Sequence, residues 1–292
     1  MTIDSAGPIV VGVDGSEQST AAVRWAAREA SRRHASLRVL HAWVWPLYRV
    51  PLGPAPGAPP GAGLRAAAES LLAAAARTAH AVAGSLSVET SLEVGGSVPV
   101  LLRAAEGAAL LVVGNRGLGG FTGLLLGSTG IAVSARARCP VVVVRGDEHE
   151  GGPVVVGVEG SPNTEAVLAS AVEEATLRQA GLLLLHSFTI SLERHHLDGR
   201  DYADAVAAGR RTGEALLDGA VQRLSRDVPD LDVTVRLTDR SAAQELVDAS
   251  SSAQLVVVGS HGAGQVAGML VGSTAHALIH NSSCPVLLSR AT

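Results

Sequence analysis

Apolar positions follow two rhythms along this chain. Short unbroken runs such as Ile9–Val13, Leu110–Val113 and Val141–Val144 are rich in valine. Between them lie longer stretches in which apolar residues recur every three or four positions. Ala22, Val23, Ala26, Ala27 and Ala30 form one such stripe, with charged residues opposite. The first rhythm predicts strands buried on both faces, and the second predicts amphipathic helices. In the first half this gives a strand at 9–13, a helix from about 19 to 33 and a strand at 37–42. An alanine-rich helix over 64–83 and an alternating strand through Val88, Thr90, Leu92 and Val94 follow. Ser97 is placed to cap a helix with Pro99 in its first turn. A strand at 110–113, a helix within 127–137 and a strand at 141–144 complete the half. Residues 46–63 hold too much proline and glycine for a regular element and read as a loop or flap.

The same order then returns. Each landmark recurs 145 positions later: Asp14 at Glu159, Gly114 at Gly259, Gly127 at Gly272, Cys139 at Cys284. A constant offset across separated landmarks means two copies of one domain. The expected domains are 1–148 and 149–292, joined through the polar, glycine-rich stretch 146–152. Second-half strands are expected at 154–158, 181–185, 232–237, 255–258 and 286–288. Ser241 and Gln244 have the spacing of a capping box, and Ser191–Gly209 is a charged, partly helical stretch in place of the flap. Each half is long enough to bury about two-thirds of its unfolded surface. Alternating strands and helices predict α/β: two tandem doubly wound domains built on parallel sheets, with ligands at the carboxyl ends of the strands.

Composition narrows the function. The formal net charge of −4 gives no electrostatic case for nucleic acid or an anionic membrane. All 23 basic side chains are arginine, so a Walker A loop with its phosphate-binding lysine is excluded. No charged-then-apolar leader opens the chain and no apolar run has membrane-spanning length, so a cytoplasmic protein is expected. The two cysteines occupy equivalent positions before prolines and read as packing residues rather than a disulfide.

The chemistry concentrates in one pattern. Gly114-Asn115-Arg116-Gly117 follows the fourth strand; nine residues, including Gly119 and Gly120, lead to Gly127-Ser128-Thr129 at a helix start. The second half repeats it as Gly259-Ser260-His261-Gly262, nine residues, Gly272-Ser273-Thr274. Glycines let an anion approach the backbone amides, and a helix start offers unpaired N–H groups with partial positive charge. Without lysine, phosphate charge falls to amides, Arg116 and Mg²⁺ held mostly by phosphate and water. Tight turns and a simple helix cap are the bland alternative, which two copies at one spacing disfavour.

This pattern, with Val-Gly-Val-Asp-Gly-Ser on the first strand, closely resembles the universal stress protein family, in particular its tandem, ATP-binding actinobacterial-like branch. The resemblance spans essentially the whole chain. It implies a Rossmann-like fold, akin to the adenine nucleotide alpha hydrolases, with strand order 3-2-1-4-5 in each half. It implies ATP at the ends of the first and fourth strands, with Gly12 and Asp14 near the adenosine, Ala42 offering backbone to adenine, and the glycine loops holding phosphates. The matching second-half residues are Gly157, Glu159 and Ser187, with Glu159 departing from the family's aspartate. It also implies pairing through the fifth strands, as a pseudo-dimer within one chain or a homodimer. His41 and His186 are read as structural neighbours of the adenine pocket. Trp43, Trp45 and Tyr48 cover either the nucleotide or the flap. His276 and His280 share a helix face without a visible third ligand, and His195, His196 and Asp198 belong to a solvated loop. The leading expectation is an ATP-binding protein with a regulatory, stress-response role. The rival is an ATP-hydrolysing or phosphate- or adenylate-transferring enzyme, with Asp14 and Arg116 its one candidate set. The downstream partner is not legible.

Overall fold

A computed structural model of the chain describes residues 7–43, 63–117, 127–147, 149–188, 199–260 and 271–290. The chain divides into two units, Met1–Arg145 and Gly146–Thr292. The first unit runs β1 (Ile9–Gly12), α1 (Glu17–Arg32), β2 (Leu37–Trp43), α2 (Leu64–Val82), β3 (Val88–Val94), α3 (Ser97–Ala104), β4 (Leu110–Gly114), α4 (Ser128–Arg136) and β5 (Val141–Val144). The second runs β6 (Val154–Gly157), α5 (Thr164–Arg178), β7 (Leu182–Ser187), α6 (Gly199–Asp227), β8 (Val233–Thr238), α7 (Ala242–Ala249), β9 (Leu255–Gly259), α8 (Ser273–Asn281) and β10 (Val286–Ser289).

Within the first unit β1 pairs in parallel with both β2 and β4, with Val11 opposite Val39 on one side and Val112 on the other. β3 lies outside β2 and β5 outside β4. The second unit matches it: β6 lies between β7 and β9, β8 pairs with β7, and β10 pairs with β9. The chain therefore moves outward from β1 through β2 to β3, then crosses back to β4. Right-handed crossovers put α1 and α2 on one face and α3 and α4 on the other. The direction of winding reverses between β1 and β4, so their carboxyl ends flank a crevice.

Valine and leucine runs form these strands because both sheet faces are covered. Ile9, Val10, Val11, Leu111 and Val112 are fully buried. At the edge the pattern changes: β3 carries Glu89, Glu93 and the exposed Val94. Glu93 there accepts from Arg38 at 3.2 Å and from Arg103 at 3.5 Å. Alanines bring α1 close to the sheet, and Trp25, 1% exposed, fills the space beneath it. The equivalent residue in the second unit is Ser170, whose hydroxyl lies 2.8 Å from that of Ser289. Both units also bury a glutamate on this helix. Glu29 pairs with Arg33 at 2.6 Å, and Glu174 pairs with Arg178.

Two expected caps are not formed. Gly96, not Ser97, is the N-cap of α3, and Ser97 is its first helical residue. Ser241 does precede α7, but its side chain makes no capping hydrogen bond. Arg240 instead ties the start of that helix, reaching Glu245 at 2.6 Å and Asp248 at 3.1 Å. The proline-rich flap lies outside the described residues apart from Gly63. Of the charged second-half stretch, residues 199–209 are helical and begin α6.

Candidate functional site

At the end of β1 the chain turns sharply. Val13 N–H still donates to Leu40 at 2.9 Å, and Val13 carbonyl accepts from His41 Nδ1 at 2.7 Å. Since a carbonyl can only accept, Nδ1 carries the hydrogen. His41 thus has the structural role expected of it. Asp14 Oδ1 then accepts from Ser16 N at 3.0 Å and Ser16 Oγ at 2.6 Å, an Asx-turn helped by Gly15 at φ 91°. Ser16 Oγ in turn accepts from Ser19 N at 3.1 Å and caps α1. One serine therefore fixes both the carboxylate and the helix start.

Beside it, β4 ends at Gly114, whose Cα faces the α1 backbone closely: a side chain there would stand 2.8 Å from Gln18 O. Asn115 N donates to Val144 O at 3.1 Å, and Asn115 O accepts from Gly127 N at 3.0 Å. That bond closes the loop and brings the two glycine clusters together. A methyl on Gly127 would lie 3.7 Å from Gly117 N and 3.8 Å from Arg116 Cα. A methyl on Gly117 would overlap Asp14 Oδ2. Asp14, Arg116, Gly117 and Gly127 thus converge from three places in the sequence, with Arg116 exposed. Gly127 is the N-cap of α4 and supplies no side-chain cap, so among the described residues no side chain caps the first N–H groups of α4. Ser128 and Thr129 open that helix, and Thr129 Oγ1 lies 2.8 Å from Ser97 Oγ. Gly12 packs on Leu101 of α3, and Ala42 is half-buried near the end of β2. Gly119 and Gly120 lie outside the described residues.

The second unit reproduces the frame. His186 Nδ1 donates to Val158 O at 2.7 Å, Ser260 N to Ser289 O at 3.2 Å, and Gly272 N to Ser260 O at 3.0 Å. Gly157 packs on Leu246, Gly259 ends β9, and Gly272 precedes Ser273 and Thr274 at the start of α8 without a side-chain cap. The turn after β6 differs. Ser161 N donates to the Glu159 carbonyl at 2.7 Å rather than to a carboxylate, and Ser161 Oγ reaches Glu159 Oε1 at 3.2 Å. Helix α5 starts at Thr164, two residues later in repeat register than α1, and its N-cap Asn163 makes no side-chain cap. Ser187 donates its hydroxyl to Arg240 O at 2.6 Å. His261 and Gly262 lie outside the described residues, as do Trp45, Tyr48, His195, His196 and Asp198.

Ser16 was absent from the expected site. The Asp-x-Ser spacing that forms an Asx-turn is its sequence signal. His276 and His280 do meet, with ring centroids 4.4 Å apart. Among the described residues no group of three or more histidine, cysteine, aspartate or glutamate side chains is placed to hold a metal. Both cysteines are buried thiols outside any disulfide.

Comparison with known proteins decides the family. The model of the universal stress protein family matches the chain twice, over residues 6–145 and 152–290. The chain belongs to the universal stress protein family. It is similar along nearly its whole length to tandem relatives. The universal stress protein Rv2005c of Mycobacterium tuberculosis is 34% identical over 290 residues, covering 97% of this chain and 96% of the relative. Rv2623 from the same organism is 33% identical over 301 residues, with 97% and 96% covered. A universal stress protein structure from Archaeoglobus fulgidus matches the fold at a TM-score of 0.68 and 18% identity, over 97% of this chain and 96% of that one. Among the described residues of this universal stress protein, no helix is long and apolar enough to cross a membrane.

Proposed function

We propose that this universal stress protein binds ATP in each unit, with Mg²⁺, and acts as a regulatory component of a cytoplasmic stress response. One observation carries the reading. Each unit closes its glycine loop with the same hydrogen bond, Gly127 N to Asn115 O and Gly272 N to Ser260 O, both 3.0 Å. That bond holds a glycine-flanked loop against a helix start whose N–H groups no described side chain caps, beside the crevice between the central strands. Such a cradle offers amide donors and partial positive charge to phosphate. Asp14 and Gly12 then face the nucleoside end, with Ala42 at the adenine. In the second unit Gly157, Glu159 and Ser187 take those places.

Asp14 supports binding better than catalysis. Its Oδ1 already accepts two hydrogen bonds from Ser16, which hold the carboxylate in place as an acceptor. The protein therefore holds ATP without dedicated turnover. The two halves pair through their fifth strands, since an apolar strand of four valines is an aggregation-prone edge unless covered.

Isothermal calorimetry with ATP and Mg²⁺ tests the reading, beside native mass spectrometry of protein purified without added nucleotide. Saturable binding with turnover below about 1 per second supports it. No heat of binding at millimolar ATP ends it.

A further inference from the structure

A cleft of about 390 Å³ opens between α1 and α2 of the first unit, within the size range of small-molecule sites. By crossover handedness it lies on the sheet face away from the start of α4. Val13 and Gly15 line it, and Val23, Ala67, Leu71 and Ala74 are among the apolar groups along its walls. Among the described residues, none that lines it is charged.

Four hydroxyls line it, those of Ser19, Thr20, Ser70 and Thr78, and three of them are already committed as donors. Ser19 and Thr20 donate their hydroxyl hydrogens to Ser16 O at 2.9 and 3.1 Å, and Thr78 donates to Ala74 O at 3.1 Å. With those hydrogens committed, the oxygens offer lone pairs to the cleft. Among the described lining residues a phosphate or carboxylate would find no cation and, of the side chains, the Ser70 hydroxyl alone as donor, whereas an uncharged molecule with an N–H or O–H would find three committed hydroxyls as acceptors.

The second unit shows what closing this cleft looks like. The positions equivalent to Thr20 and Thr78 are Glu165 and Arg223, and their side chains bridge α5 and α6 at 2.7 Å. The position equivalent to Val23 is the larger Leu168. The first unit lacks both the strap and the filler.

We propose that the cleft between α1 and α2 is a second small-molecule site, separate from the nucleotide site, for an uncharged, largely apolar ligand carrying one hydrogen-bond donor. The full-length protein is titrated with N-phenyl-1-naphthylamine, an uncharged fluorophore with a single N–H donor. In parallel it is titrated with 8-anilinonaphthalene-1-sulfonate, the same skeleton bearing a fixed negative charge. Saturable binding of the first and at least about tenfold weaker binding of the second are expected. Thr20→Glu/Thr78→Arg grafts the second unit's strap and should weaken the neutral probe at least about tenfold, with unchanged circular dichroism. Val23→Leu should weaken it in the same direction, which covers the case in which the double variant misfolds. Saturating ATP should leave the probe bound. The proposal is overturned if the neutral probe fails to bind, if both probes bind equally, if ATP displaces the probe, or if folded variants bind it as the wild type does.

Discussion

Ser16 carries an unusual load for one small side chain. Its hydroxyl donates to Asp14 and accepts from the first turn of α1, so Ser16→Ala removes a helix cap and loosens the carboxylate together. Loss of about 1 kcal/mol is expected from the cap, read by urea unfolding, with weaker ATP binding by calorimetry. Gly117→Ala separates these effects. The added methyl lands on Asp14 Oδ2 and should weaken the first site while leaving the unfolding midpoint near that of the wild type. Glu29 is fully buried beside Arg33, and truncating one partner strands a buried charge. Glu29→Ala should therefore destabilise the protein by about 3–5 kcal/mol, measured the same way. Spacing alone marks Gly117 as a candidate phosphate-loop glycine. It does not mark the contact with Asp14, because 103 positions of chain separate them and only strand order brings them together.

At the scale of elements, the two units are built alike but begin their first helices differently. α1 starts under a serine cap and α5 starts two residues later in register without a side-chain cap. This difference, with Asp14 replaced by Glu159 and Arg116 by His261, predicts unequal sites. The second should bind ATP about ten- to thirtyfold more weakly, resolved by titrating Gly117→Ala and Gly262→Ala separately. Arginine is always cationic, whereas histidine is mostly neutral at pH 7. Second-site affinity should thus rise from pH 8 to pH 6, and a flat profile would place His261 away from the phosphates. The strands were legible because a run buried on both faces is a strong pattern. Caps were less so: Ser97 and Ser241 have the right composition, but their hydroxyls do not meet the helix amides. Ser97 lies 2.8 Å from Thr129 instead, a tertiary contact that local sequence does not encode.

For the whole molecule, the repeat is the most informative feature, and the family model's two matches coincide with the two structural units. If the halves pair through their fifth strands as proposed, each is incomplete alone, and separately expressed halves should self-associate in analytical ultracentrifugation. Stable monomers at high concentration would count against that pairing. The duplication is not symmetrical in its aromatic residues. Trp25 fills the space under α1, and its counterpart is Ser170; with Trp43 and Trp45, every tryptophan belongs to the first unit. Tryptophan emission is therefore an optical label on one half of a protein that needed no labelling. During denaturation it follows the first unit alone, while far-ultraviolet circular dichroism follows both. The lag between those two curves measures how independently the halves come apart.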